Sequence, residues 1–470
     1  MKTQLLYLFL FLFATTGISQ ISFSPNLIDN DQATSNAANS VTAADFDNDG
    51  DIDIVGAAFQ SDIFSLYRND GSGNFTQETI DNSPTFSDGA RFVTSFDLDE
   101  DGDMDVLATA STADVYLWFE NDGTGLFTPH IIDSPALANE AYAIDAADFN
   151  NDGTMDIVGG ANAGDALAVF NNDGNENFTL LTNLSANANL TDGVRVVKAA
   201  DLNEDGFMDI VVAAFSGDTF SWFEGDGQGS FTPHPIDSSV NADGATGIQI
   251  ADFDNDGDLD IAAASNSANQ FLWYENDGDE NFTTNIIDNT SPFTVGPRGV
   301  AIVDLEQDGD MDILGAAITG DAFTWYENDG NGNFTLALIS DDVTYANGAF
   351  AITAADVDGD QVDDIITAAN ISDAFSWFKT EGVILANLEN FLSGVAVFPN
   401  PTTHKITVQV PADTHLQSMQ IIDMQGKIVF LDNSEHSEYV NINLEELASG
   451  VYYLSAETNK GNFTKKVIKL

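Results

Sequence analysis

A nine-residue acidic motif returns along this chain at a fixed interval. Asp45-Phe-Asp-Asn-Asp-Gly-Asp-Ile-Asp53 recurs as Asp97-Leu-Asp-Glu-Asp-Gly-Asp-Met-Asp105, and further copies begin at Asp148, Asp201, Asp252, Asp304 and Asp356. The intervals are 52, 51, 53, 51, 52 and 52 residues, so seven units of one size fill most of the 470 residues. Periodicity on this scale marks a repeat architecture, in which each unit buries its faces against its neighbours.

The second unit shows the internal order most clearly. An apolar stretch at 90–96 runs into the acidic loop; a second at 105–110 follows and turns near Asp114. The third, 115–120, ends in Asn121-Asp122-Gly123, a pattern that favours tight hairpins, and the fourth, 127–132, closes the unit. Four short strands with frequent turn signals and no helical periodicity describe one propeller blade. Stretches such as 54–59 are apolar on both faces, as blades packed between neighbours require.

The seventh unit reaches its third strand at Trp377-Phe378 and stops at Gly382 without a fourth. Phe23-Ser-Pro-Asn-Leu-Ile-Asp29 repeats the fourth-strand text Phe127-Thr-Pro-His-Ile-Ile-Asp133, so the N-terminal strand is expected to complete the last blade and leave no open edge. The expected fold is all-β: a seven-bladed β-propeller over 20–382, a linker at 383–393 and a small Ig-like β-sandwich at 394–470, where Ile406, Val408 and Val410 alternate with polar residues.

Charge narrows the function. There are 13 Lys+Arg against 76 Asp+Glu, a net −63. Nine of the acids follow residue 382, which leaves 67 in the repeats against six bases: Arg68, Arg91, Arg195, Lys198, Arg298 and Lys379. Nucleic-acid binding needs a basic face and is excluded. With 43% hydrophobic residues and 34 Phe, the chain is too apolar for a disordered acidic tail, and the lack of Cys removes disulfides, thiol catalysis and Cys-based zinc sites. At the N-terminus, Lys2, an apolar run at 5–14 and Gly17-Ile18-Ser19 read as a secretory signal peptide over 1–19. Ten apolar residues are too few to span a bilayer, so no membrane span is expected in the mature chain.

The acidic loops carry oxygen ligands at alternate positions. Positions 1, 3, 5 and 9 are Asp45, Asp47, Asp49 and Asp53; Asp97, Asp99, Asp101 and Asp105; Asp148, Asn150, Asp152 and Asp156; Asp201, Asn203, Asp205 and Asp209; Asp252, Asp254, Asp256 and Asp260; Asp304, Glu306, Asp308 and Asp312; and Asp356, Asp358, Asp360 and Asp364. Hard oxygen donors in this number suit Ca2+, up to seven ions, whereas Mg2+ prefers octahedral sites with retained water. Position 12, where an EF-hand places a bidentate Glu, holds Gly56, Ala108, Gly159, Val212, Ala263, Gly315 and Thr367, so these are calcium loops between strands rather than EF-hands. The seventh copy departs most, with Gly359 at position 4 and Gln361 at position 6.

These repeats resemble the FG-GAP or VCBS type of integrin-like propellers and secreted bacterial proteins. The resemblance covers about residues 20–382 and rests on the D-x-D-x-D-G-x-x-D text and the N-D-G hairpin. It implies calcium ligands at positions 1, 3, 5 and 9 and a backbone carbonyl at position 7, here Asp51, Asp103, Thr154, Phe207, Asp258 and Asp310 in the first six copies. It implies no single activity. The C-terminal region, with Phe398-Pro-Asn-Pro401, 421–429, 447–454 and a basic end at 465–470, resembles the type A sorting domain of the type IX secretion system of Bacteroidota. That resemblance implies a type IX outer-membrane translocon as partner and a secreted or cell-surface location.

His130 and His234 share one fourth-strand slot, far from the expected axis, and no Ser-His-Asp order or His-rich metal cluster appears. Trp118, Trp222, Trp273, Trp325 and Trp377 recur at one third-strand position where Leu66 and Val169 substitute, which points to core between blades rather than sugar stacking. Six residues before each acidic loop, at the expected mouth of the central channel, stand Asn39, Arg91, Tyr142, Arg195, Thr246, Arg298 and Phe350. The three arginines either pair with nearby acids or, with Tyr142 and Phe350, form a site for a carboxylated or sulfated sugar. The expected function is a secreted calcium-binding propeller that binds polysaccharide, cell-surface glycan or a surface protein and is not an enzyme; the alternative is a polysaccharide lyase acting on an anionic sugar.

Overall fold

The computed structural model describes residues 21–133, 136–175, 177–278 and 281–382, and beyond them 396–410, 415–423, 427–432, 436–437, 439–444, 447, 450–458 and 461–470. The signal-peptide and linker expectations lie outside these residues. The chain divides into two compact units between Val383 and Ile384.

The larger unit is built of seven four-stranded antiparallel sheets. In the second repeat the strands are Ala90–Phe96, Asp105–Ala110, Val115–Asn121 and Phe127–Asp133, paired in sequence order. The last repeat contributes three strands, Ala349–Ala355, Asp364–Ala369 and Ala374–Glu381; the fourth member of its sheet is Ser22–Asp29, which runs antiparallel to Ala374–Glu381. Ser22 stands opposite Glu381 and Asp29 opposite Phe375. First strands of successive repeats pack on one another, and the first of them, Ala38–Ala44, packs on both Ala90–Phe96 and Ala349–Ala355. The series therefore returns to its start, an arrangement consistent with a β-propeller.

Burial explains why the strands differ in composition. Second strands such as Asp53–Ala58 (DIVGAA) are buried at every residue, whereas fourth strands such as Phe75–Asp81 (FTQETID) are buried at none. The apolar clusters lie between sheets. One combines Val55, Phe64 and Leu66 of the first repeat with Val93, Leu117 and Phe119 of the second, and another joins Ile54 and Tyr67 of the first to Ile366, Phe375 and Trp377 of the last. Trp118, Trp222, Trp273, Trp325 and Trp377 are all buried in these clusters or against them. The small residues at loop position 12 have a packing reason: a Cβ on Gly56, Gly159 or Gly315 would lie 2.7 Å from the ring of Phe375, Tyr116 or Phe271 of the adjacent sheet.

The Asn-Asp-Gly text does not make a two-residue hairpin. Asn121 pairs with Phe127, which leaves residues 122–126 as the loop, and the Asn121 side chain accepts from Gly125 N at 3.0 Å. Its Nδ2 donates to the carbonyls of Phe46 (2.8 Å) and Met104 (2.9 Å), so this asparagine links its own sheet to the preceding one. Asn69, Asn276 and Asn328 make the equivalent contacts to Val357, Leu202 and Phe253.

The smaller unit has a three-stranded sheet (Ala396–Phe398, Lys405–Gln409, Tyr439–Asn443) and a five-stranded one. The second contains His415–Asp423, Ile428–Asp432, His436–Ser437, Gly450–Thr458 and Gly461–Lys469. Both sheets contribute to one core, including Ile406, Val408, Met419, Ile421, Val440, Leu454 and Val467. No helix among the described residues is long and apolar enough to cross a membrane.

Candidate functional site

Each acidic loop turns back on its position-1 aspartate. Asp45 accepts from Asp49 N (3.2 Å) and Gly50 N (3.0 Å), and Asp148 and Asp201 are bonded in the same way. The turn needs positive φ at two places. Position 4 has it in Asn48, Glu100, Asn151, Glu204, Asn255 and Gln307, and position 6 is glycine in these six copies. In the seventh copy the glycine, Gly359, stands at position 4 and Gln361 takes φ 71° at position 6. The loop path is thus kept, with left-handed strain of about 1–2 kcal/mol moved onto a glutamine.

Carboxylates converge inside these turns. Ligand atoms of Asp45, Asp47 and Asp53 lie within 4.8 Å of one another, as do those of Asp97, Asp99 and Asp101, of Asp252, Asp254 and Asp260, and of Asp356, Asp358 and Asp360. The position-9 aspartates are buried and accept a third-strand N–H, for example Asn69 N to Asp53 at 2.8 Å and Asn121 N to Asp105 at 2.8 Å. Burial pushes the carboxyls of Asp53, Asp105, Asp156, Asp209, Asp260 and Asp364 up to about 7, against the pull of those backbone donors. Asp47 Oδ1, Asp53 Oδ2, Asp97 Oδ1, Asp156 Oδ2, Asp252 Oδ1 and Asp358 Oδ1 are buried with no hydrogen-bond partner. Buried acceptors without donors are costly, and a hard cation at the convergence point would satisfy them. The donor set fits calcium. Position-7 side chains belong elsewhere: Asp103 and Asp310 accept from Asn48 (2.6 Å) and Asn255 (2.7 Å) of the preceding loop, and Thr154 donates to Asp152 at 2.6 Å.

The channel residues come together through a feature the sequence conceals. In each repeat the register between first and second strands slips at one residue, and those residues are Asn39, Arg91, Tyr142, Arg195, Thr246, Arg298 and Phe350. A bulge re-aims the side chain it carries. All seven, with Lys198, line one cavity of ≈ 280 Å³. The Arg91 guanidinium lies 4.0 Å from the ring centroid of Tyr142 and 5.3 Å from that of Phe350; Arg298 lies 4.4 Å from Phe350, and Arg195 3.3 Å from Phe215. Arg298 also donates to the Tyr142 hydroxyl.

Among the described residues none of the three arginines forms an ion pair with a carboxylate. Glu140, whose charge reaches Arg91 and Arg195, is engaged by Asn162 Nδ2 at 2.8 Å. Arg91 Nε is buried without a partner. Burial, then the charges of Arg298 and Arg195, holds the Arg91 guanidinium well below its usual range; burial and Arg298 push Arg195 down to about 9, and burial alone pushes Arg298 down to about 10. Three like charges share a pocket with no carboxylate in ion-pair contact among the described residues, and an anion there would relieve both the desolvation and the repulsion.

The histidines have a structural use. His130 stacks on Trp118 at 4.8 Å and meets Glu120 at 2.8 Å, and His234 repeats this with Trp222 at 4.8 Å and Glu224 at 2.9 Å.

Comparison with known proteins agrees with the architecture. No curated protein matches the chain in sequence. Among solved structures, BBS1N in complex with ARL6DN, soaked with mercury, aligns at TM-score 0.50 and 11% identity, covering 75% of this chain and 96% of that one. The PQQ-bound aldose sugar dehydrogenase from Streptomyces coelicolor aligns at TM-score 0.42 and 10% identity, covering 77% and 99%. A protein from Lactobacillus plantarum aligns at TM-score 0.48 and 13%, covering 64% and 83%. At 11% identity the likeness to the first concerns the fold alone. Family models match the FG-GAP-like repeat at residues 45–108, 97–159, 201–263 and 252–315, and the secretion system C-terminal sorting domain at 396–470, which implies handling by the type IX machinery. The chain is an FG-GAP-repeat protein that ends in a type IX secretion sorting domain.

Proposed function

We propose that this protein is a secreted seven-bladed propeller, closed by its N-terminal strand and held by calcium in its acidic loops, that binds an anionic carbohydrate in its central channel. The observation that carries the binding reading is the group Arg91, Arg195 and Arg298: one buried and two half-buried guanidiniums line one cavity with no carboxylate paired to them among the described residues. Guanidinium forks match carboxylate and sulfate oxygens in pairs, and the Tyr142 and Phe350 rings offer faces for a sugar ring. The C-terminal unit, read as an Ig-like sandwich, carries the chain out of the cell. The propeller would then work as a binding or adhesion module without catalysis of its own.

The test is a glycan array followed by titration with the ligand it identifies. Replacing Arg91, Arg195 and Arg298 together by Gln should lower affinity at least 100-fold and leave the calcium-dependent melt in place. Retained affinity would refute the channel as the site. One contact favours a second reading, a polysaccharide lyase. Tyr142 accepts a hydrogen bond from Arg298, which puts a phenol oxygen beside guanidiniums that could neutralise a uronate carboxylate while Tyr142 takes the proton. Unsaturated-product absorbance with uronic-acid polymers, lost in Tyr142→Phe, would select the enzyme.

A further inference from the structure

The six basic side chains of the repeat region have two uses. Arg91, Arg195, Lys198 and Arg298 line the channel, whereas Arg68 and Lys379 stand beside the first and last acidic loops. Both occupy the sixth residue of a third strand, where the second, fourth, fifth and sixth repeats have Glu120, Glu224, Glu275 and Glu327 and the third has Asn171. Arg68 pairs with Asp47 at position 3 of its loop, lies 3.0 Å from Glu78 and donates to the Thr124 carbonyl of the next sheet at 2.8 Å. Lys379 pairs with Asp358, again position 3, and lies 2.8 Å from Asp360 at position 5.

We infer that Arg68 and Lys379 are built-in counter-ions, so the first and last loops exclude calcium and the ions load only the loops between them. This rests on the calcium reading of the loops. Neither geometry nor unpartnered oxygens separate the two classes: Asp45, Asp47 and Asp53, and Asp356, Asp358 and Asp360, converge as closely as the clusters of the second and fifth loops, and Asp47, Asp53 and Asp358 carry buried oxygens without a partner as Asp97 and Asp252 do. What differs is charge: a fixed cation holds the position-3 carboxylate where four other repeats add a further carboxylate. A divalent ion entering there meets repulsion instead of an additional anion. The two loops also flank the junction of the first and last sheets, where Asn69 donates to the Val357 carbonyl at 2.7 Å, so that junction carries two fixed cations.

Counting bound calcium on the full chain by native mass spectrometry tests this. The wild type should hold no more than five ions, and the double variant Arg68→Glu, Lys379→Glu should hold two more. Seven ions in the wild type, or an unchanged count in a folded double variant, would overturn the inference. If wild type and variant both hold none, it is the calcium reading that fails. Should the double variant not fold, milder changes decide: Asp47→Asn and Asp358→Asn must leave the count unchanged while Asp99→Asn lowers it by one, and loss of an ion from either of the first two contradicts the inference.

Discussion

Two rings of residues in the repeat unit lie six positions apart in sequence and behave oppositely. The acidic loops are near-copies: every one begins with Asp and ends with a buried Asp, and six of seven keep glycine at position 6. The bulge residues of the first strands are Asn, Arg, Tyr, Arg, Thr, Arg and Phe, no two neighbours alike. A loop that must close on itself and gather oxygens tolerates little change, and it solves the same local problem in each repeat. A bulge side chain facing a common cavity meets bulge side chains of other repeats, as Arg91 meets Tyr142 and Arg298 meets Phe350, so each copy is free to differ, and the seven together compose one asymmetric surface. Sameness here accompanies a closed local turn, and difference accompanies a cavity shared between repeats.

That contrast can be broken at several points. The largest effect expected is from calcium removal. A single site of extracellular type at a hundredfold excess of calcium over its Kd adds about 2.7 kcal/mol to the folded state, so emptying several should lower the melting temperature by many degrees. Differential scanning calorimetry with and without chelator measures this, and superimposable curves would leave the loops without a metal role.

Next come paired single substitutions, one from each ring. Asp99→Asn should cost about 2–3 kcal/mol in calcium and leave glycan affinity unchanged. Arg195→Gln should weaken binding about tenfold with no loss of stability, since it removes one of three like charges sharing the cavity. If both variants lose both properties, the rings are not separable in the way proposed.

The smallest effect is on pH dependence. Buried position-9 carboxyls such as Asp105 and Asp260 titrate near 7 in the folded chain without metal, above their usual value of 3.8. A raised carboxyl binds its proton more tightly when folded, so its stabilising contribution is present at low pH and is lost as pH rises from about 4 through 7. Calcium bound as proposed would hold the same groups ionised. The difference in melting temperature between calcium-loaded and chelated protein should therefore shrink as pH falls from 8 to 5, and a constant difference would show that these groups are not coupled to the metal.

The spacing of the Asp-rich motif, the strand lengths between its copies and the fourth-strand text at Phe23–Asp29 were enough to specify four-stranded repeats and the pairing of the N-terminal strand with the last of them. All are local properties: a strand, a turn and a ligand spacing are each written within about ten consecutive residues. The backbone path of the loops was legible for the same reason, down to the anomaly at Gly359 and Gln361. Contacts between repeats were not. That Asn121 reaches the Phe46 carbonyl, that Arg68 and Lys379 enter loops about twenty residues upstream, and that a bulge turns Arg91, Arg195 and Arg298 into one cavity depend on where neighbouring sheets stand. The sequence by itself determined the repeat and its loops, because hydrogen bonding and ligand geometry act over short stretches of chain. Only the tertiary structure decided which charges meet, because that depends on bulge geometry and sheet-to-sheet packing between residues as much as 207 positions apart, as Arg91 and Arg298 are.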